Sequence, residues 1–185
     1  MSAIRLVFHA VVVLLCATSV DAAHCNGGQL EETDINSDIL SYVNAERQKV
    51  RDGAQQNGPS GNPATLPAAK TMPDLSWDCN LETEAINILA TANCPSFSLP
   101  SPPAYASLYS QDDYMDQTFP FVIQTFIGRI GQFSFDDVTT SEVKFSSGML
   151  TEYATLIRAS TTGIGCAKMN CVGKSNAILC LTNDP

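Results

Sequence analysis

The chain has 185 residues, 44% of them hydrophobic, with 10 basic and 19 acidic side chains and a formal charge of −9 at neutral pH. Such a balance excludes nucleic acid as a partner, because neutralising phosphates with Lys and Arg dominates that affinity, and anionic lipid surfaces would repel the chain. The length suits one domain built on a single core.

The first 22 residues read as a secretory signal peptide. Arg5 gives a positive start, Leu6 to Ala17 an apolar centre, and Val20-Asp21-Ala22 small residues for cleavage. A membrane span needs roughly 20 apolar residues, and nothing later is apolar for long enough. The mature chain is therefore expected to be secreted and to fold as one domain over 23–185. Cleavage removes one Arg and one Asp, so the net charge is unchanged, and it also removes Cys16 and His9. His24 is then the one histidine left, too few for a Ser-His-Asp or Cys-His mechanism or a catalytic zinc site with two or three imidazoles.

Along the mature chain, Ile39 to Ala54 has helical periodicity. Ile39, Val43, Val50 and Ala54 share one face, with Leu40 beside it, and Glu46, Arg47, Lys49 and Arg51 are expected to face water. Asn36, Ser37 or Asp38 offers the N-cap and Asp52-Gly53 the end. The Gly-, Pro- and Asn-rich run 55–67 is a loop. A second helix spans Leu81 to Ala92 on the stripe Leu81, Ala85, Ile88, Leu89 and Ala92, with Asp78 and Glu82 at its positive end. Prolines interrupt 95–103. Ala104 to Ser110 reads as a short strand and Pro120 to Ile130 as a helix with Phe121, Phe126, Ile127 and Ile130 apolar. A polar connection over 133–145 follows, then a helix over 149–159. Strands at Ile164 to Met169 and Ala177 to Thr182 are joined by a turn at Gly173.

Six cysteines remain after cleavage: Cys25, Cys79, Cys94, Cys166, Cys171 and Cys180. In an oxidising compartment this even number indicates three disulfides. Cys79 and Cys94 flank the second helix at roughly 22 Å, beyond the ~7 Å reach of a disulfide, so they should not pair.

These features together resemble one family. Asn44-Ala45-Glu46-Arg47, Leu66-Pro67-Ala68-Ala69 with Met72, Leu75-Ser76-Trp77-Asp78-Cys79 with Leu81-Glu82, Ala85 and Cys94, Thr161-Thr162, Ile164-Gly165-Cys166 and Ile178-Leu179-Cys180 resemble the CAP superfamily of cysteine-rich secretory, antigen 5 and pathogenesis-related proteins. Within it the chain looks most like the single-domain secreted proteins of parasitic nematodes. The resemblance implies an α+β fold: a disulfide-stabilised three-layer α–β–α sandwich with a small antiparallel sheet and a broad surface cleft. It also implies a Cys166–Cys180 bridge. Two pairings of Cys25, Cys79, Cys94 and Cys171 then remain.

Many family members line the cleft with two His and two Glu able to hold a divalent metal. Placed by the resemblance, those positions fall at Glu152, near Ser98, at Ala106 and near Arg129, so no metal and no cofactor is expected. The resemblance also places Arg158 where the family has a Trp. Glu152 is expected to pair with Arg158 or Arg129 rather than act as an acid or base. Asp112, Asp113 and Asp116 lack the spacing of a calcium loop and read as solvated. Trp77 reads as core, as do at least one or two of Phe133, Phe135 and Phe145. Arg51-Asp52-Gly53 has the wrong order for an integrin-binding triplet, and no Asn-x-Ser/Thr acceptor is present. The resemblance implies a non-enzymatic secreted effector that binds a host protein and modulates immune or haemostatic cells, an integrin on platelets or leukocytes being one version of that partner. The other reading is a carrier of sterol or fatty acid, with a pocket at 95–103 lined by Leu99, Tyr105 and Leu108.

Overall fold

In the computed structural model the segments Glu32–Asp34, Ile35–Leu40 and Ser41–Arg51 form one helical rod, α1. The structure describes residues 23–61, 63–69, 71–92, 104–112, 114–145, 148–171, 173 and 175–185. The segment 1–22 assigned to a signal peptide lies outside these residues, as do Cys94, Ser98, Asp113 and the stretch 95–103. The middle of α1 is widened into π turns, in which the Ser41 N–H reaches back five residues to Asn36 O. Asn36, Ser37 and Asp38 thus lie inside the rod rather than capping it. Ile35, Ile39, Val43 and Val50 face the core. Gly53, at φ +65°, ends the helix in a Schellman closure: its N–H bonds Val50 O and that of Ala54 bonds Lys49 O. Ala54 is consequently outside the helix and exposed.

Among the described residues three further helices and six strands follow: β1 (Ser76–Trp77), α2 (Cys79–Ala92), β2 (Ala106–Gln111), α3 (Phe119–Gly128), β3 (Asp137–Val138), β4 (Val143–Lys144), α4 (Thr151–Ile157), β5 (Gly163–Asn170) and β6 (Asn176–Thr182). A 3-10 turn, Arg129–Gly131, extends α3. The main sheet has the order β1-β5-β6-β2, and β3 and β4 pair in a separate hairpin within the connection 133–145. The expected antiparallel sheet is in fact mixed, because β1 joins β5 in parallel through Ser76↔Gly163 and Trp77↔Ile164. Two residues of strand flanked by Pro73 and a helix carry no period-2 signal, so β1 is invisible to pattern reading.

Alternation along the central strands builds the layers. Ile164, Cys166, Ile178, Cys180 and Leu108 join one core with the buried faces of α1, α3 and α4. Ala167, Ala177, Leu179 and Leu181 point the other way, onto Leu81, Ala85 and Leu89 of α2. Every residue of β6 is therefore buried. This is a three-layer α–β–α sandwich. In α3 the core stripe is Phe119, Val122, Ile123 and Phe126, continuing to Ile130. Phe121, named among the apolar residues of this helix, is exposed.

Two disulfides between described cysteines staple the structure. Cys166 and Cys180 face each other across β5 and β6. Cys25 bonds Cys79, tying the N-terminal segment to the first residue of α2. This removes the alternative in which Cys25 pairs with Cys94. Cys171 is also disulfide-bonded.

Gly165 explains why the Gly-Cys signature begins with glycine. A β-carbon there would collide with the backbone N of Glu82 and lie 2.7 Å from Asp78 O, so the first turn of α2 rests directly on β5. Gly165→Ala should cost about 1–3 kcal/mol, the usual penalty for overpacking against backbone that cannot yield. Urea unfolding measures it; an unchanged midpoint would show that the helix can lift without cost.

Candidate functional site

The helix α4 starts where Thr151 folds back on the preceding turn, its Oγ1 accepting from Gly148 N at 3.2 Å and donating to Gly148 O at 2.7 Å. That start sets Glu152 in the first turn, opposite the 3-10 turn carrying Arg129. Arg129 Nη1 bonds Glu152 Oε2 and also donates to Met149 O at 3.3 Å. The guanidinium lies 5.5 Å from the centre of the Phe126 ring, a cation–π distance. Both side chains are about three-quarters covered, at 28% and 22% exposure. The carboxylate is thus committed to a fixed cation.

Ala106 opens β2, half-buried, opposite Thr182, and Ser98 is outside the described residues. Arg158 turns away from Glu152: its Nη1 is 3.6 Å from Asp184 Oδ1 and contacts Pro185 O. Among the described residues, one group of three or more His, Cys, Asp or Glu side chains has ligand atoms close together, namely His24, Cys25 and Cys79. Its two sulfurs are bonded to each other, so they offer no thiolate.

The Asn44-Ala45-Glu46-Arg47 signature turns out to be internal wiring. Expected to face water, Glu46 and Arg47 are both buried, Arg47 completely. The Arg47 guanidinium donates to four backbone carbonyls: Pro73 at 2.9 Å, Leu156 at 2.7 Å, Arg158 at 3.1 Å and Thr161 at 2.9 Å. Burial first, then the nearby Arg51, lowers its pKa to about 10 against the opposing pull of Asp74, so it stays charged at neutral pH. Glu46 accepts the Tyr153 phenol at 2.9 Å and Lys49 Nζ at 2.9 Å. Burial, reinforced by Glu46, pushes that phenol well above its usual range. Asn44 grips both backbone groups of Leu75, Nδ2 to O at 3.0 Å and N to Oδ1 at 2.8 Å. A signal was available for Arg47: it lies four residues after Val43 and three before Val50, directly on the apolar stripe.

Glu82, placed by the sequence in the first turn of the helix, is fully buried. It accepts from Gln29 N at 2.6 Å and from Trp77 Nε1 at 3.0 Å, fastening the N-terminal segment beside the Cys25–Cys79 bridge. Trp77 is half-buried against the main core. Phe135 is core, with Phe133 and Phe145 packed against it.

An apolar cavity of about 310 Å³ opens between α1, α4 and the β3–β4 hairpin. Val50, Leu66, Met72, Phe135, Phe145 and Ile157 line it, with Glu142 and Arg158 among its polar residues. The lipid pocket expected at 95–103 lies outside the described residues; Leu108, named with it, is buried in the main core. Neither Glu152 nor Arg129 lines the cavity.

Comparison with known proteins accords with this architecture. Venom allergen 5 of Brachyponera chinensis is 51% identical over 43 residues, 23% of this chain and 20% of that protein. The chain thus aligns with about one fifth of that relative's length. The structure of Na-ASP-1 superposes with a TM-score of 0.65 at 23% identity, covering 88% of this chain and 39% of the other. NaASP2 with Zn²⁺ gives 0.65 at 16% identity over 85% and 83%. The hookworm platelet inhibitor gives 0.57 at 16% identity over 88% and 76%. At these identities the structural likeness establishes the fold. The model of the cysteine-rich secretory protein family, CAP, matches residues 40–182, and the chain belongs to that family.

Proposed function

We propose that the protein is a secreted, non-catalytic effector that binds a host protein through its surface and modulates immune or haemostatic cells. In this reading residues 1–22 are removed and 23–185 act as a single domain without metal or cofactor. The observation that carries it is the Glu152–Arg129 ion pair. A carboxylate held by a guanidinium is a poor metal ligand and a poor general base, and Glu152 stands where the resemblance places an imidazole. Family membership and the fold shared with a hookworm platelet inhibitor support the direction of the proposal. Among the described residues no helix is long and apolar enough to cross a membrane.

The partner would be a host cell-surface receptor, with an integrin as the specific form to test. Platelet and leukocyte adhesion should fall in the presence of micromolar mature protein, and integrin should be recovered in pull-downs. Glu152→Gln should leave the inhibition unchanged, because the pair is scaffold. Unaltered adhesion and empty pull-downs would reject the integrin form; inhibition lost with Glu152→Gln would put chemistry back at that position.

The 310 Å³ cavity favours a second reading, a carrier of fatty acid or sterol. Its volume is at the small end of the roughly 300–1,000 Å³ of ligand pockets, and its walls are mostly aliphatic and aromatic. Native mass spectrometry of protein made in eukaryotic cells should show a co-purified lipid that Ala69→Phe, at the cavity wall, displaces. Protein that is persistently empty would exclude the carrier role.

A further inference from the structure

Tyr114 is unlike the other four tyrosines of the chain. Tyr153 is fully buried and Tyr105 and Tyr109 half-buried. Tyr42 is 36% exposed and lies on α1 with Ser41 and Val43 as neighbours. Tyr114 is 94% exposed, which no packing requirement explains for a side chain of that apolar area. Its neighbours in sequence are Asp112, Asp113, Met115 and Asp116, and no Lys or Arg occurs from 71 to 128.

The loop bearing it is fastened at both ends. On one side β2 pairs with β6 through Gln111↔Ala177. On the other, the buried Asn176 side chain takes both backbone groups of Gln117, Oδ1 from N at 2.7 Å and Nδ2 to O at 2.9 Å, while Asp116 Oδ1 accepts from Asn176 N at 3.1 Å. Between these anchors Asp112 Oδ1 accepts from Tyr114 N at 2.7 Å and Met115 N at 3.0 Å. The turn so formed leaves the phenol standing in solvent, 94% exposed, between Asp112 and Asp116 in sequence.

We propose that Tyr114 is an acceptor for enzymatic O-sulfation in the secretory pathway, which rests on the reading of the protein as secreted. An enzyme that transfers sulfate to tyrosine must reach the phenol and must distinguish it from others. Aspartates on both sides supply a charge pattern for a basic cleft, in a stretch of sequence with no Lys or Arg from 71 to 128. The phenolic oxygen attacks the sulfur of 3′-phosphoadenosine 5′-phosphosulfate. An O–S bond forms, the bond from sulfur to the phosphate oxygen breaks, and adenosine 3′,5′-bisphosphate leaves with the electron pair. The phenolic proton passes to a base of the enzyme, and no atom changes oxidation state. The product adds a fixed negative charge and sulfate acceptor oxygens to a segment already bearing three aspartates, suited to a cationic surface on a partner.

The test uses the full chain expressed in animal cells with radiolabelled sulfate, measuring medium and lysate separately. A parallel arm treats unsulfated protein from chlorate-grown cells with purified tyrosylprotein sulfotransferase and its sulfate donor. Label should map to the peptide containing Tyr114, resist phosphatase and vanish completely in Tyr114→Phe. The double variant Asp112→Asn, Asp116→Asn keeps both Oδ1 acceptors, and with them the turn, and should lower incorporation severalfold. Protein retained in cells but sulfated by the purified enzyme would contradict secretion while supporting Tyr114 as the acceptor. No label in either arm while an acidic tyrosine peptide is modified, label persisting in Tyr114→Phe, or a phosphatase-sensitive group would each overturn the proposal.

Discussion

A single buried guanidinium organises the half of the molecule where function would be sought. Among the described residues Arg47 forms no salt bridge; four backbone carbonyls hold its charge. Leu156 belongs to the last turn of α4 and Arg158 caps it, so the cation sits at the negative end of that helix dipole. Pro73 leads into β1, and Thr161 leads into β5. One side chain thereby holds α1, the entry to the edge strand, the end of α4 and the start of the central strand. The cost of burying a charge is met by geometry that water could not reproduce in a dry core.

Asparagines repeat the same solution on a smaller scale. Asn44 binds the N–H and C=O of Leu75, Asn57 those of Phe135, and Asn176 those of Gln117. Each amide pairs with one residue of a loop as a neighbouring strand would. The loops cannot join the four-stranded sheet, yet their buried backbone groups need partners. Side-chain pairing supplies them, and it fixes the long connections that carry the cavity wall and the Tyr114 loop.

Elements with strong periodicity were legible: α2 from its 81–85–89 stripe, and the β5–β6 hairpin from continuous apolar runs around Gly173. The three-layer order followed from the motifs that resemble the CAP family. What sequence reading missed shares a physical cause, namely polar groups that are buried because they are satisfied at long range. Arg47, Glu46 and Glu82 look like surface charges until the distant partners Thr161, Tyr153 and Gln29 are known. The mixed edge of the sheet was hidden because β1 is two residues long and owes its pairing to the Arg47 network beside it. At the candidate cleft the partner of Glu152 stayed open between Arg129 and Arg158 in the sequence, and the fold decides it by pairing Arg158 with Asp184.

This arrangement commits the Glu152 carboxylate to Arg129, which the proposed function reads as scaffold with recognition elsewhere on the surface. It also makes the position of α4, and with it Glu152 and one wall of the cavity, depend on Arg47. Urea unfolding of Arg47→Met tests that dependence most directly, since methionine keeps much of the volume and removes the donors. The account predicts a loss of about 3–5 kcal/mol, the range for breaking a buried charged network, with protection of the α4 and β1 amides in hydrogen exchange falling first. A loss below about 1 kcal/mol, within the ordinary spread of mild substitutions, would contradict it.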